Sequence, residues 1–272
     1  MIYNSALASV SIAAVVRSST IDYPGQIAAV LFTSWCNMCC PYCHNVDILS
    51  GDAGSKLNLE LVTAWLADRF GALTGVVLSG GEPTMLPDEK LQELLEELKG
   101  IGYAVKLDTN GTYCALQSKL TKPCLDYIAV DVKLPRARYQ ELMASGTDNG
   151  KMAASKLAGN LVWLDRVFVG QWHKQYELRT TVHKKLLPLE AIYQLKADWV
   201  DPRKTHPKWY LQQYGKSKGF DPDLQNEPTY SDEDLADIAV GIGAYVRGVD
   251  PALAAKVEKT VDERTGRAKE NK

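Results

Sequence analysis

The tightest constraint on this chain is an apolar run, Ile27–Thr33 (I-A-A-V-L-F-T), that passes almost at once into a cysteine loop, Trp35–Asn45 (W-C-N-M-C-C-P-Y-C-H-N). A continuous apolar run of this length reads as a strand buried on both faces, the kind found in parallel sheets. Within the loop, Cys36, Cys40 and Cys43 form a C-x3-C-x2-C array. Three thiolates can hold three irons of a cubane [4Fe–4S] cluster, whereas a closed electron-transfer cluster takes four. The fourth iron is then open to an outside ligand. Such a site can do chemistry as well as store an electron.

Other cysteine chemistries fit less well. Cys36/Cys39 and Cys40/Cys43 make two C-x2-C pairs, as in zinc sites. Yet the pairs abut, and zinc ribbons set theirs a dozen or more residues apart. A disulfide framework is disfavoured because four of the six cysteines crowd into one loop. Arg17 also follows the first apolar residues, the wrong order for a secretory signal. A reduced cytoplasm is the expected compartment. No apolar run approaches the roughly 18–20 residues that span a bilayer. The formal net charge of −2 gives no sign of nucleic-acid or anionic-membrane binding.

Along the chain, apolar strands alternate with helical patterns. Asn58 can cap a helix with Val62, Trp65, Leu66 and Phe70 on one face. Gly75–Ser79 reads as a second strand; Leu91, Leu94, Leu95 and Leu98 mark a helix closed by Gly100. Tyr103–Leu107 and Tyr127–Val130 are further strands, separated by a short helix over Tyr113–Leu120. Helices near Tyr139–Ala144 and Ala154–Leu164 flank a polar loop. Tyr176–His183 and Lys208–Tyr214 complete six strands. Ser231 caps a last helix carrying Leu235, Ile238, Ile242 and Tyr245. With 272 residues, a single domain over 1–249 is expected, with an unassigned insertion near 146–174. A charged tail over 250–272 is expected to fray. Such alternation implies right-handed βαβ units and a parallel sheet. Six strands are too few for a full barrel but can curl into a partial one.

Ligands of parallel α/β folds sit at the carboxyl ends of strands. There the first four strands run into polar or glycine-rich residues. Gly80-Gly81 can let a ligand approach the backbone and open amide donors toward it, and Glu82 can receive a ligand ammonium group; alternatively the pair only turns the chain. Asp108 and Asn110 can bind a ribose, or form a plain Asn-Gly turn. Asp131 and Lys133 share a face, inside or outside, as do Arg179 and His183, which can reach a carboxylate. Trp35, Met38 and Tyr42 are expected to pack around the cluster. Cys114 and Cys124 read as small buried hydrophobes, and His173 and His206 as solvated.

With these residues assembled, the chain resembles the radical S-adenosylmethionine enzymes and, more narrowly, the activating proteins of anaerobic ribonucleotide reductases. The resemblance runs from about Ser19 to Pro135, through T-I-D-Y-P-G, C-N-M-C-C-P-Y-C-H-N, S-G-G-E-P-T, K-L-D-T-N-G and D-Y-I-A-V-D-V-K, with W-Y-L-Q-Q-Y as a weaker extension. It implies an α/β fold, a partial (β/α)6 TIM-like barrel of parallel strands. Cys36, Cys40 and Cys43 would bind a [4Fe–4S] cluster whose unique iron takes the amino and carboxylate groups of S-adenosyl-L-methionine. Gly80, Gly81 and Glu82 would lie along the methionine amino group. Asp108 and Asn110 fall where the ribose or methionine portion binds, Tyr42 near the adenine, and Asp131 and Lys133 on an acidic–basic pair beside the cofactor.

The implied activity is reductive cleavage to a 5′-deoxyadenosyl radical, which takes a hydrogen atom. In an activating protein that atom comes from a glycine of a glycyl-radical enzyme, here an anaerobic ribonucleotide reductase. Asp22–Gly25 would be a contact segment for it, and a flavodoxin- or ferredoxin-type protein the electron donor. A small molecule, peptide or nucleoside substrate is the alternative, and a metal-binding or electron-carrier module the non-enzymatic one. Cys39 is additional to the pattern, and no second cysteine array marks an inserted ferredoxin-like domain.

Overall fold

Each strand pairs with its neighbour in the sequence, so the sheet order is the chain order. The computed structural model describes residues 12–49, 57, 59–120, 124–146, 149–168, 175–200, 207–216 and 219–266. Its strands are β1 (Ile12–Ser19), β2 (Ala28–Thr33), β3 (Gly75–Gly80), β4 (Ala104–Thr109), β5 (Tyr127–Asp131), β6 (Gln175–Val182), β7 (Lys208–Gln213) and β8 (Tyr245–Arg247). The helices are α1 (Val46–Leu49), α2 (Leu59–Ala67), α3 (Asp88–Ile101), α4 (Leu116–Lys119), α5 (Gly150–Phe168), α6 (Leu189–Trp199), α7 (Asp232–Ile242) and α8 (Pro251–Thr265). β1 is antiparallel to β2, and every later pairing is parallel.

Alternation along the strands creates two buried faces. Ala29, Leu31, Val76, Leu78, Val105, Leu107, Ile128 and Val130 belong to the main core, with Leu91, Leu94, Leu95 and Leu98 of α3. Each such leucine contributes roughly 1.5–3 kcal/mol by leaving water. On the other face Ala28, Val30, Val77 and Ala129 form a smaller apolar cluster with Tyr23 and Tyr127. Further along that face stand Asp108, Asp131, Arg179, Thr181 and Gln212, which line a cavity.

The six expected strands are all present, with two more. β1 was hidden because its burial is mixed, with Val16 exposed. β8 was hidden because Tyr245 fits the helical spacing of α7, which instead ends at the left-handed Gly243. α3 likewise closes at Gly102 (φ 111°) and not at Gly100: Gly102 N–H bonds Lys99 O and Tyr103 N–H bonds Leu98 O. Phe70 lies past the end of α2 and packs edge-on against Tyr103. Asn58, His173 and His206 lie outside the described residues.

The stretch read as an insertion carries α5, the crossover helix between β5 and β6. The expectation of a fraying tail is corrected over Pro251–Thr265. Asp250 caps α8 by accepting from the Ala252 and Leu253 amides, and Val257 and Val261 bury against the body. Tyr245 Oη donates to Asp262 Oδ1 at 2.6 Å. The Asp-Pro start and the i, i+4 valines were legible; the abundance of charge hid them.

Candidate active site

The cysteine loop leaves β2 and folds back onto its neighbours through backbone contacts. Trp35 adopts φ 65°, unusual for a residue with a side chain. That turn aims its carbonyl at the loop after β3, where Glu82 N–H donates to it at 2.8 Å. A Cβ on Gly81 would lie 1.8 Å from the same oxygen, and a Cβ on Gly80 (φ 109°) 2.4 Å from Thr33 N. Only glycines allow the two loops to meet. On the other side Cys39 N–H donates to Leu142 O (2.7 Å) and Ala144 N–H to Asn37 O (3.1 Å).

This folding brings Cys36, Cys40 and Cys43 to one wall of a cavity of about 320 Å³, with Met38 and Tyr42, and leaves Cys39 out of that wall. A larger hollow of about 460 Å³ lies among α5, α6, α7 and α8, but no cysteine lines it, so donor chemistry and not size selects the site. Among the described residues no three His, Cys, Asp or Glu converge on a single ion. A zinc site would need that convergence, whereas a cubane spreads its ligands over separate irons. The donor set fits a cluster with one iron free of protein. Burial pushes the Cys40 thiol up to about 11 against the lowering influence of Lys133, and raises Cys36 and Cys43 too. Loading iron must therefore expel protons.

The facing wall is a line of charges across β4, β5 and β6. Lys106 Nζ contacts Asp108 Oδ1 at 2.8 Å, and Arg179 Nη1 contacts Asp108 Oδ2 at 3.1 Å. Arg179 Nε then bonds Asp131 Oδ1 at 2.9 Å, whose other oxygen meets Lys133 Nζ at 3.0 Å. Three cations and two carboxylates leave this wall one positive charge, suited to an anionic group. Burial pushes Asp131 up, but Arg179 and Lys133 overcome it and hold the carboxyl down to about 2. Asp108 is lowered likewise, its burial outweighed by Arg179 and Lys106. Lys133 also lies 5.9 Å above the Tyr42 ring.

Eleven of the predicted site residues line the cavity: Cys36, Cys40, Cys43, Tyr42, Gly80, Gly81, Asp108, Asn110, Asp131, Lys133 and Arg179. Three expectations need correction. Glu82 is fully buried, and its carboxylate accepts from Thr84 N, Thr84 Oγ1, Thr109 Oγ1 and Asn110 N, so it braces the loop and faces no ligand ammonium. The Gly81 and Glu82 amides bond Thr33 O and Trp35 O, so they are not open donors. His183 does not line the cavity, because β6 ends at Val182 and the alternation with Arg179 stops there. Its ring packs on Tyr214, 4.8 Å between centroids, and Nδ1 accepts from Lys185 N–H.

Sequence reasoning missed Lys106, Ser79, Thr181 and Gln212. The last three line the cavity; Lys106, only 2% exposed, stands behind Asp108 and donates to Asp22 O. The two-residue period from Asp108 to Lys106, and from Arg179 to Thr181, would have found two of them.

Residues 30–161 carry the signature of the radical SAM superfamily. Over 241 residues the chain is 30% identical to a Methanocaldococcus jannaschii protein provisionally named a glycyl-radical enzyme activating enzyme, covering 88% of this chain and 94% of that one. A 119-residue stretch is 33% identical to the pyruvate formate-lyase-activating enzyme of Clostridium pasteurianum (42% and 48% covered). An 89-residue stretch is 34% identical to the 7-carboxy-7-deazaguanine synthase of Hyperthermus butylicus (33% and 37%). In fold, the crystal structure of SuiB from Streptococcus suis superposes with a TM-score of 0.57 at 16% identity, over 88% of this chain and 46% of that one.

The chain belongs to the radical SAM superfamily. Its sheet is the partial TIM-type barrel of that superfamily, whose enzymes use a [4Fe–4S] cluster and S-adenosylmethionine. Among the described residues no helix is long and apolar enough to cross a membrane.

Proposed function

We propose that this radical SAM enzyme activates a glycyl-radical enzyme, taking a hydrogen atom from a backbone glycine of an anaerobic ribonucleotide reductase or a related partner. The observation that carries the reading is the near end-to-end likeness to the M. jannaschii protein, whereas the pyruvate formate-lyase-activating enzyme and the deazaguanine synthase each match less than half of this chain. In this reading Cys36, Cys40 and Cys43 hold the cluster, and the backbone at Gly80–Gly81 forms the floor against which the methionine end lies. Arg179, held between Asp108 and Asp131, turns positive charge toward the cofactor carboxylate. Tyr42 and Lys133 flank the nucleoside. The chemistry a bound cluster supplies is one-electron reduction of S-adenosylmethionine, which yields a 5′-deoxyadenosyl radical able to abstract hydrogen. The protein's share is to orient that fragment and exclude water and oxygen.

Asp22, which lines the cavity, is the inner end of the segment offered to the partner's glycine loop. A flavodoxin- or ferredoxin-type protein supplies the electron. Anaerobic incubation of reconstituted protein with candidate reductases, S-adenosylmethionine and a reductant should give a glycyl-radical doublet in electron paramagnetic resonance. Cofactor cleavage without a doublet across the panel, but with hydrogen loss from a small molecule or nucleoside, overturns it.

A further inference from the structure

Asn110 stands in the D-T-N-G turn after β4, where the family resemblance puts a ribose or methionine contact, yet its carboxamide is engaged elsewhere. Its Oδ1 accepts from Thr112 N–H at 2.9 Å and from Thr112 Oγ1 at 2.7 Å. The Thr112 N–H can only donate, so it fixes which end of the amide is oxygen. Nδ2 is thereby turned toward the cysteine loop. It donates to Asn37 Oδ1 at 2.8 Å and lies 3.7 Å from Cys36 Sγ. Asn37 Nδ2 in turn donates to Thr112 Oγ1 at 2.9 Å, closing a ring of three side chains. All three are buried: Asn37 is 2% exposed, Asn110 4% and Thr112 0%.

Burying three polar side chains is costly unless their bonds close among themselves. Here they close with one N–H directed at a sulfur, and the Met38 amide reaches the same sulfur at 3.4 Å. Asn110 is rigid in this pose because its own N–H donates to Glu82 Oε2 at 2.8 Å. We propose that Asn110 is a positioning residue for the cluster and not a nucleotide ligand: its Nδ2–H bonds the Cys36 thiolate and raises the reduction potential of the bound cluster. A donor to a ligand sulfur stabilises the reduced, more negative cluster more than the oxidised one. The proposal rests on the three-cysteine cluster and is independent of which substrate is activated.

The test is a redox titration, followed by electron paramagnetic resonance, of the full chain reconstituted anaerobically with iron and sulfide. Wild type is compared with Asn110→Ala and Asn110→Asp, with iron content and S-adenosylmethionine affinity measured on each. Both variants lose the N–H, and only one adds charge, so their common shift belongs to the hydrogen bond. The expected result is a reduced-to-oxidised ratio about tenfold lower at a fixed potential in both variants, which for one electron is about 59 mV downward. S-adenosylmethionine affinity should stay within about twofold of wild type, since the amide faces the sulfur and not the nucleotide. Four-iron variants with an unshifted potential overturn the proposal, as does an affinity loss without a potential shift, which would make Asn110 a nucleotide ligand. Should one variant fail to hold iron, the other decides; should wild type itself take up no four-iron cluster, both this inference and the radical chemistry fall.

Discussion

The cysteine wall of the cavity is loop, held by backbone hydrogen bonds to two neighbouring loops, while the facing wall is strand, held by ion pairs between side chains. The first carries one buried and two half-buried thiols, set among amides and an apolar core with Lys133 as their nearby cation. The second carries five charges, four on three adjacent strands and Lys133 just past the end of β5. A loop can wrap a bulky inorganic group because its backbone need not keep a pleat, but it then needs external anchors. Strands fix side chains to a repeat, so charges set two residues apart on adjacent strands fall into contact without any anchor. The cavity joins a shape-fitting wall to an electrostatic one, and each should fail in its own way.

The largest expected effect is on the loop wall. Cys40→Ala should leave the fold intact, since a small buried thiol is replaced by a methyl, yet abolish four-iron reconstitution and reduce 5′-deoxyadenosine formation to the level of cluster-free protein. Retained turnover would mean that another donor, Cys39 being the nearest in sequence, completes the site. On the charged wall the order of effects reverses, stability before chemistry. Arg179→Met removes the cation that Asp108 and Asp131 share and leaves each with one lysine, a loss of up to about 3 kcal/mol, so the melting temperature should fall by up to roughly 6–12 °C. An unchanged melting temperature would show that Lys106 and Lys133 suffice. Smaller again is Gly81→Ala, whose Cβ would press on the Trp35 carbonyl. Moving the two loops apart should cost about 1–3 kcal/mol and lower cluster occupancy, with no change in the charged wall.

The same contrast explains what the sequence disclosed. The loop wall is local: C-x3-C-x2-C and Gly80-Gly81 are contiguous motifs, and the structure brings them to the cavity they suggested. The charged wall is not local. Nothing in the chain says that Arg179 stands between Asp108 and Asp131, because that depends on register across three strands. His183 failed for the related reason that a two-residue period holds only while the strand lasts. Glu82 failed because its partners, Thr109 and Asn110, arrive from another strand end. β8 and α8 were obscured by a helical spacing that runs past Gly243 and by a charged composition that hid two valines.

The two walls also differ in the sign of their response to acid. Asp131 sits at about 2 when folded, against an ordinary 3.8. Between those values the unfolded chain takes up a proton that the folded chain refuses. Its contribution is therefore fully present above about pH 4 and is lost as pH falls toward 2, amounting to about 2 kcal/mol. Asp108 is shifted the same way and adds to the loss. Glu82, behind the loop wall, is raised by burial despite its four donors. Its contribution has the opposite sign, complete at low pH and lost as pH rises through its folded value, so it cannot cause an acid transition. Urea unfolding between pH 5 and 2.5 should show wild type losing more stability than Asp131→Asn, by about 2 kcal/mol across that window. Equal losses in the two proteins would place the acid response outside the charged wall and leave Arg179 without the role in stability that its two ion pairs imply.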